Sequence, residues 1–179
     1  MHSVKIFYWY VLIITFWFLQ NTMAFPKIVF AVIYVFSSSI SIQATTVTPC
    51  TAVGDIPLPD NVEIENCVEP PCIFPINSTI NIAMNFTSPR RLDRIVPQAI
   101  GETSNLVISL PLEQEDACDG IVNTECPLEA GQDVEYKSQL SVSSDFGEIQ
   151  FALEFFLLDV DEDSFFECFR ADMQMVQTY

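Results

Sequence analysis

The residues that could do chemistry in this chain are few, and their distribution is uneven. The single histidine, His2, stands at the N-terminus, and none follows. Beyond residue 44, Ser-His-Asp hydrolysis, Cys-His nucleophiles and His-ligated zinc therefore all lack an essential group. Asp159, Asp161 and Asp163 have the spacing that opens an EF-hand calcium loop. That loop then requires Gly at its sixth position and Glu at its twelfth, where this chain has Ser164 and Arg170. The triplet reads instead as a solvated acidic turn joining two strands. Arg90, Arg91 and Arg94 form the one basic cluster, in a connection where they are expected to pair with acidic neighbours. Paired carboxylates could serve glycoside hydrolysis, but among 24 acidic residues nothing singles out a pair. No enzymatic activity and no cofactor is expected.

Six cysteines remain: Cys50, Cys67, Cys72, Cys118, Cys126 and Cys168. Their spacings do not suit a zinc site, and disulfides are the favoured reading. Six cysteines allow fifteen pairings, among which spacing does not choose. Cys67 and Cys72, with Pro70 and Pro71 between them, have the look of a stapled turn, and Cys118 and Cys126 of a stapled loop. Asn77-Ser78-Thr79 and Asn85-Phe86-Thr87 are N-glycosylation acceptors. Both features belong to a chain folded in an oxidising compartment.

The N-terminus agrees. The first 44 of the 179 residues contain no Asp or Glu. Their second apolar run, Ile28–Phe36, follows Lys27 and leads into a polar stretch ending on Ala44, which is the grammar of a secretory leader. Residues 1–44 are read as leader, with Met23 as the working start, and 45–179 as one domain. The location expected is extracellular, with the lysosomal lumen as the alternative. After Ala44 the chain carries five basic and 24 acidic side chains, a net −19. This balance excludes nucleic acid as a partner, because phosphates require Lys and Arg to displace their counterions. It also disfavours docking on anionic lipid near neutral pH.

The elements that must position these residues follow a period of two. Val62 and Ile64, Ile80 to Phe86, Leu106 to Leu112, Val134 to Val142, Ile149 to Leu157, and Phe169 to Met175 alternate apolar with other residues. Pro, Gly and Asp clusters separate them. Short half-buried strands at this spacing describe an all-β, immunoglobulin-like antiparallel β-sandwich of two sheets. The buried Trp of an antibody domain is missing, because both tryptophans, Trp9 and Trp17, lie in the leader.

Several motifs together resemble the MD-2-related lipid-recognition (ML) family, in its Niemann–Pick type C2-like branch. They are Cys67-Val68-Glu69-Pro70-Pro71-Cys72, Asn85-Phe86-Thr87-Ser88, Asp116-Ala117-Cys118, Cys126-Pro127-Leu128, Tyr136 ahead of Leu140-Ser141-Val142, Phe155-Phe156-Leu157 and Cys168-Phe169. The resemblance covers roughly Cys50 to Val176. It implies the pairings Cys50–Cys168, Cys67–Cys72 and Cys118–Cys126, and an internal hydrophobic ligand cavity between splayed sheets. Positions that line a sterol tunnel in the family fall on Leu110, Val142 and Phe146. Further wall residues expected are Ile82, Ile108, Ile149, Phe155 and Phe169. Phe155 and Phe169 stand where the family often has Trp.

The function implied is secreted binding and transport of a sterol, fatty acid or other small lipid by a monomer, with a membrane or receptor contact for transfer. Recognition of microbial lipid in innate immunity and transport of a semiochemical are the alternatives. A cavity has a physical cost. At about 24 cal/mol per Å3 of unfilled space, a tunnel of ~400 Å3 would cost on the order of 10 kcal/mol, comparable to the whole stability of a small domain. Such a space must be occupied, partly collapsed or propped, and Cys50–Cys168 is the candidate strut.

Overall fold

The structure, a computed structural model, describes residues 43–143 and 147–177. The expected leader lies outside these residues apart from Gln43 and Ala44, and so does Phe146.

Among the described residues eight strands form two layers. They are β1 (Asn61–Ile64), β2 (Cys72–Pro75), β3 (Thr79–Thr87), β4 (Ile95–Glu102), β5 (Val107–Ser109), β6 (Asp133–Ser141), β7 (Ile149–Asp159) and β8 (Ser164–Val176). The order is β1-β3-β6 in the smaller sheet and β2-β8-β7-β4-β5 in the larger. β1, β3 and β6 follow the alternation directly. Ile80, Ile82, Met84 and Phe86 face inward from β3, opposite Leu140, Ser138, Tyr136 and Val134 of β6. From the larger sheet, Phe151, Leu153, Phe155 and Leu157 of β7 and, beside them, Phe169, Ala171, Met173 and Met175 of β8 are buried in the same core.

Two strands were not anticipated. In β4 the inner face carries Ile95, Pro97, Ala99 and Gly101, all buried, so the period of two is present without its usual bulky markers. In β2 only four residues are paired, beginning at a cysteine and ending at a proline. β2 also runs parallel to β8, so the larger sheet is mixed and not purely antiparallel. Conversely, the Leu106–Leu112 run is paired as a strand over Val107–Ser109 only. Past that point the chain leaves the larger sheet, where the Leu110 amide donates to the Ala99 carbonyl, and reaches the smaller one, where Leu112 bridges Leu140.

This crossing stitches one long edge of the sandwich. The other edge is stitched by the N-terminal segment. Thr45 pairs with Val62 of β1, and Thr48 exchanges backbone hydrogen bonds with Arg170 of β8. The three disulfides are Cys50–Cys168, Cys67–Cys72 and Cys118–Cys126. The first ties the N-terminal segment to β8.

Beside that bond, on the outer face of the larger sheet, the Glu154 carboxylate is fully buried. Its Oε1 accepts from the Thr51 amide and hydroxyl, both at 2.8 Å, and from Arg170 Nη1 at 2.7 Å, while Oε2 accepts from the Ala52 amide at 3.1 Å. Arg170 also pairs with Glu102 at 2.5 Å. Burial pushes the Glu154 pKa upward, but these donors together outweigh it and hold the group below its ordinary value. The acidic turn is equally committed. Asp159 accepts from Arg90 Nε at 2.8 Å, and Asp161 from Arg94 Nη2 at 2.6 Å.

Glu167 is different. It lies on the inner side of β8 opposite Leu157, is 5% exposed, and its Oε2 has no hydrogen-bond partner. Burial, followed by the repulsion of Asp60, raises its pKa from 4.5 to about 8.

Opposite pH dependences follow from these two carboxyls. A lowered folded-state pKa means that the Glu154 contribution is present above the ordinary carboxylate range and is lost as pH falls through the folded value. Glu154→Gln should therefore cost about 1–3 kcal/mol at neutral pH, measured by urea unfolding, and less in acid. A raised folded-state pKa means that Glu167 favours the fold below pH 4.5 and loses that contribution as pH rises through about 8. Glu167→Gln should flatten this decline and raise the unfolding midpoint at pH 8; a midpoint unchanged at both pH 5 and pH 8 would contradict the assignment.

Candidate ligand pocket

The pocket lies at the end of the sandwich where the β4–β5 hairpin, the start of β7 and the residue following β6 converge. Gly101 and Thr103 contribute from the end of β4, Leu106, Ile108 and Leu110 from the hairpin and its continuation, Val142 from the far sheet, and Ile149 and Phe151 from β7. The space between them is about 30 Å3, on the order of one or two waters. Elsewhere the inner faces close on each other. At the centre Phe155 stacks on Phe169 with ring centroids 5.6 Å apart, and Tyr136 packs against Phe155 at 6.2 Å.

Each wall has a local reason for its position. Thr103 sets the hairpin. Its amide donates to the Leu106 carbonyl at 2.8 Å, while its hydroxyl accepts from the Leu106 amide at 3.1 Å. This turn holds Leu106 at the rim with 56% of its surface exposed and Val107 beside it at 58%. Val142 stays at the pocket because its amide donates to the Ser78 carbonyl at the start of β3. Ile149 and Phe151 face inward because β7 is in register with Met175 and Met173 of β8.

Of the residues expected to line a tunnel, the structure brings together Ile108, Leu110, Val142 and Ile149. Ile82, Phe155 and Phe169 are buried in the closed core and do not reach the space. The reason is packing: the Phe155 and Phe169 rings stack on each other and Tyr136 closes on Phe155 from the facing sheet. The wall residues not foreseen are Gly101, Thr103, Leu106 and Phe151. Phe151 shares the alternation of Ile149, and Leu106 that of Ile108 and Leu110, so both could have been included on that ground; Gly101 and Thr103 lie in the unrecognised strand and its turn.

The walls are apolar apart from Thr103, whose hydroxyl is occupied within the turn. No ionisable side chain among the described residues lines the space. Among the described residues no cluster of His, Cys, Asp or Glu could hold a metal ion. What this arrangement can do is remove apolar surface from water.

The ML domain matches residues 44–175 of this chain. A crystal structure of a Niemann-Pick type C2 protein from Japanese carpenter ant superposes with a TM-score of 0.62 at 19% identity, covering 73% of this chain and 98% of that one. A search of curated protein sequences finds no match. With the family match spanning nearly all of the described residues, the chain belongs to the ML-domain family of lipid-recognition proteins.

Proposed function

We propose that this protein is a secreted carrier of a small apolar lipid, which it takes up at the β4–β5 end of the sandwich. The observation that carries this reading is the apolar lining of the space between the sheets at that end, with Leu106 and Val107 exposed at its rim. Uptake requires the sheets to part there. Stitching by the N-terminal segment on one edge and by the Leu110–Leu112 crossing on the other supports a local parting instead of general unfolding. The driving force is the removal of the guest's apolar surface from water, at ~25 cal/mol per Å2. A filled space no longer carries the cavity penalty that favours closure.

Secretion rests on the leader grammar, the three disulfides and the acceptor asparagines. Asn77 is exposed in the turn between β2 and β3. Asn85 is exposed on the outer face of β3, where it borders a polar concavity of about 820 Å3. Both positions are accessible to a glycan. An acidic lumen is a second reading of the location, favoured by Glu167, whose raised pKa stabilises the fold in acid.

Two measurements test these assignments. Organic extraction of the protein secreted from eukaryotic cells, followed by mass spectrometry, should recover bound lipid. Val142→Trp should lower uptake of radiolabelled hexadecanoic acid at least about tenfold while leaving the circular-dichroism spectrum unchanged; no lipid in the extract together with no uptake by the unmodified protein would defeat the carrier reading. N-glycosidase should lower the mass of the secreted chain in two steps, of which Asn77→Gln and Asn85→Gln each remove one. An unshifted mass would show the acceptors unused.

A further inference from the structure

We propose that the pocket takes a single unbranched hydrocarbon chain whose polar end remains in water at the β4–β5 turn, and that Gly101 sets how far the chain can enter. This rests on the reading of the pocket as a lipid site and goes further by naming the ligand class and the residue that limits it.

Gly101 is buried within a strand and does not have the positive φ that would call for glycine. Glycine inside a strand weakens it, so backbone geometry does not account for the residue here, and close approach of another group is the usual reason. A Cβ at this position would stand 3.1 Å from Phe151 Cδ2 and 3.5 Å from both Ile108 Cγ1 and Leu110 Cδ1. All three of these residues line the pocket. A side chain at 101 would thus project among the walls, into the path that leads from the rim towards the core.

What lies behind that point is deformable along one direction. Across β7 and β8, Phe151 pairs with Met173 and Ile149 with Met175; Met175 then pairs with Phe74 of β2. Methionine is unbranched and adapts its shape by rotation about three bonds. A flexible chain can advance over this row by displacing side chains, whereas a rigid fused-ring system needs the Phe155–Phe169 stack and the facing sheet to move together. The polar end of the guest finds nothing inside. The Thr103 hydroxyl donates to the Leu106 carbonyl and accepts from the Asn105 and Leu106 amides, and an unpartnered polar group is unfavourable in such a site. At the rim Ser104 and Asn105 are exposed, so a carboxylate or hydroxyl left there stays hydrated.

The test is equilibrium binding of radiolabelled octanoic, dodecanoic and hexadecanoic acids and of cholesterol to the unmodified protein and to Gly101→Ala and Gly101→Val. The unmodified protein should gain about fourfold in affinity per added methylene up to a limiting length, and should bind cholesterol more weakly than hexadecanoic acid. Gly101→Ala should lower the ratio of hexadecanoic to dodecanoic affinity at least about fourfold, the equivalent of one methylene. Gly101→Val should lose hexadecanoic acid about tenfold or more. Tighter binding of cholesterol than of any acid would overturn the ligand class, and an unchanged ratio in Gly101→Ala would overturn the role of Gly101; both would leave the pocket standing. Failure of the unmodified protein to bind any of the four would remove the lipid site itself. Should Gly101→Val not fold, the ratio measured on Gly101→Ala decides.

Discussion

Unfilled apolar volume between two packed layers costs free energy in proportion to its size, and this constraint shapes the whole sandwich. Hundreds of Å3 of empty interior would cost on the order of 10 kcal/mol, comparable to a total stability of roughly 5–15 kcal/mol. The chain meets the constraint by filling the centre, where Tyr136, Phe155 and Phe169 pack on one another, and by confining the remaining space to one end. A binding protein built in this way keeps its capacity for a guest as a low-cost deformation, not as a standing hole. Behind the walls, Met173 and Met175 lie beside Phe151 and Ile149 on the neighbouring strand, and their unbranched side chains adapt by rotation.

Deformation at one end requires restraint along the flanks. The flanks here are held by backbone pairing on both sides, by Cys50–Cys168, and by Glu154 beneath the N-terminal segment. Glu154 shows how a buried carboxylate is retained: four donors surround it, and their combined effect exceeds the desolvation it suffers. Glu167 shows the reverse case, a carboxyl turned inward with no donor for Oε2 and with Asp60 nearby. The two groups give the fold opposing responses to acid.

Much of this was legible in the residues. Alternation identified β1, β3, β6, β7 and β8, and the family motifs pointed to the cysteine pairs found in the structure. Half of the tunnel residues drawn from the resemblance, Ile108, Leu110, Val142 and Ile149, do meet at one site. The failures have physical causes. β4 hides because Pro97, Ala99 and Gly101 occupy the inward positions where a reader looks for bulk, and Gly101 is then missed for the same reason. β2 hides because a four-residue strand between a disulfide and a turn has no room for a pattern. Ile82, Phe155 and Phe169 were placed on a tunnel wall because the resemblance transfers which way a side chain faces. It does not transfer whether the facing layer has come into contact, as Tyr136 does with Phe155 here.

The position of β8 has a consequence for how the chain is made. It is the last strand in sequence, yet it sits between β2 and β7 and also receives Thr48 and Cys50 from the beginning of the domain. As the chain grows, β2 and the Thr48–Cys50 part of the N-terminal segment lack their partner strand until the last residues of β8 are made. The larger sheet therefore closes late, because these pairings join segments more than a hundred residues apart in sequence, and contacts of such separation are slow to form.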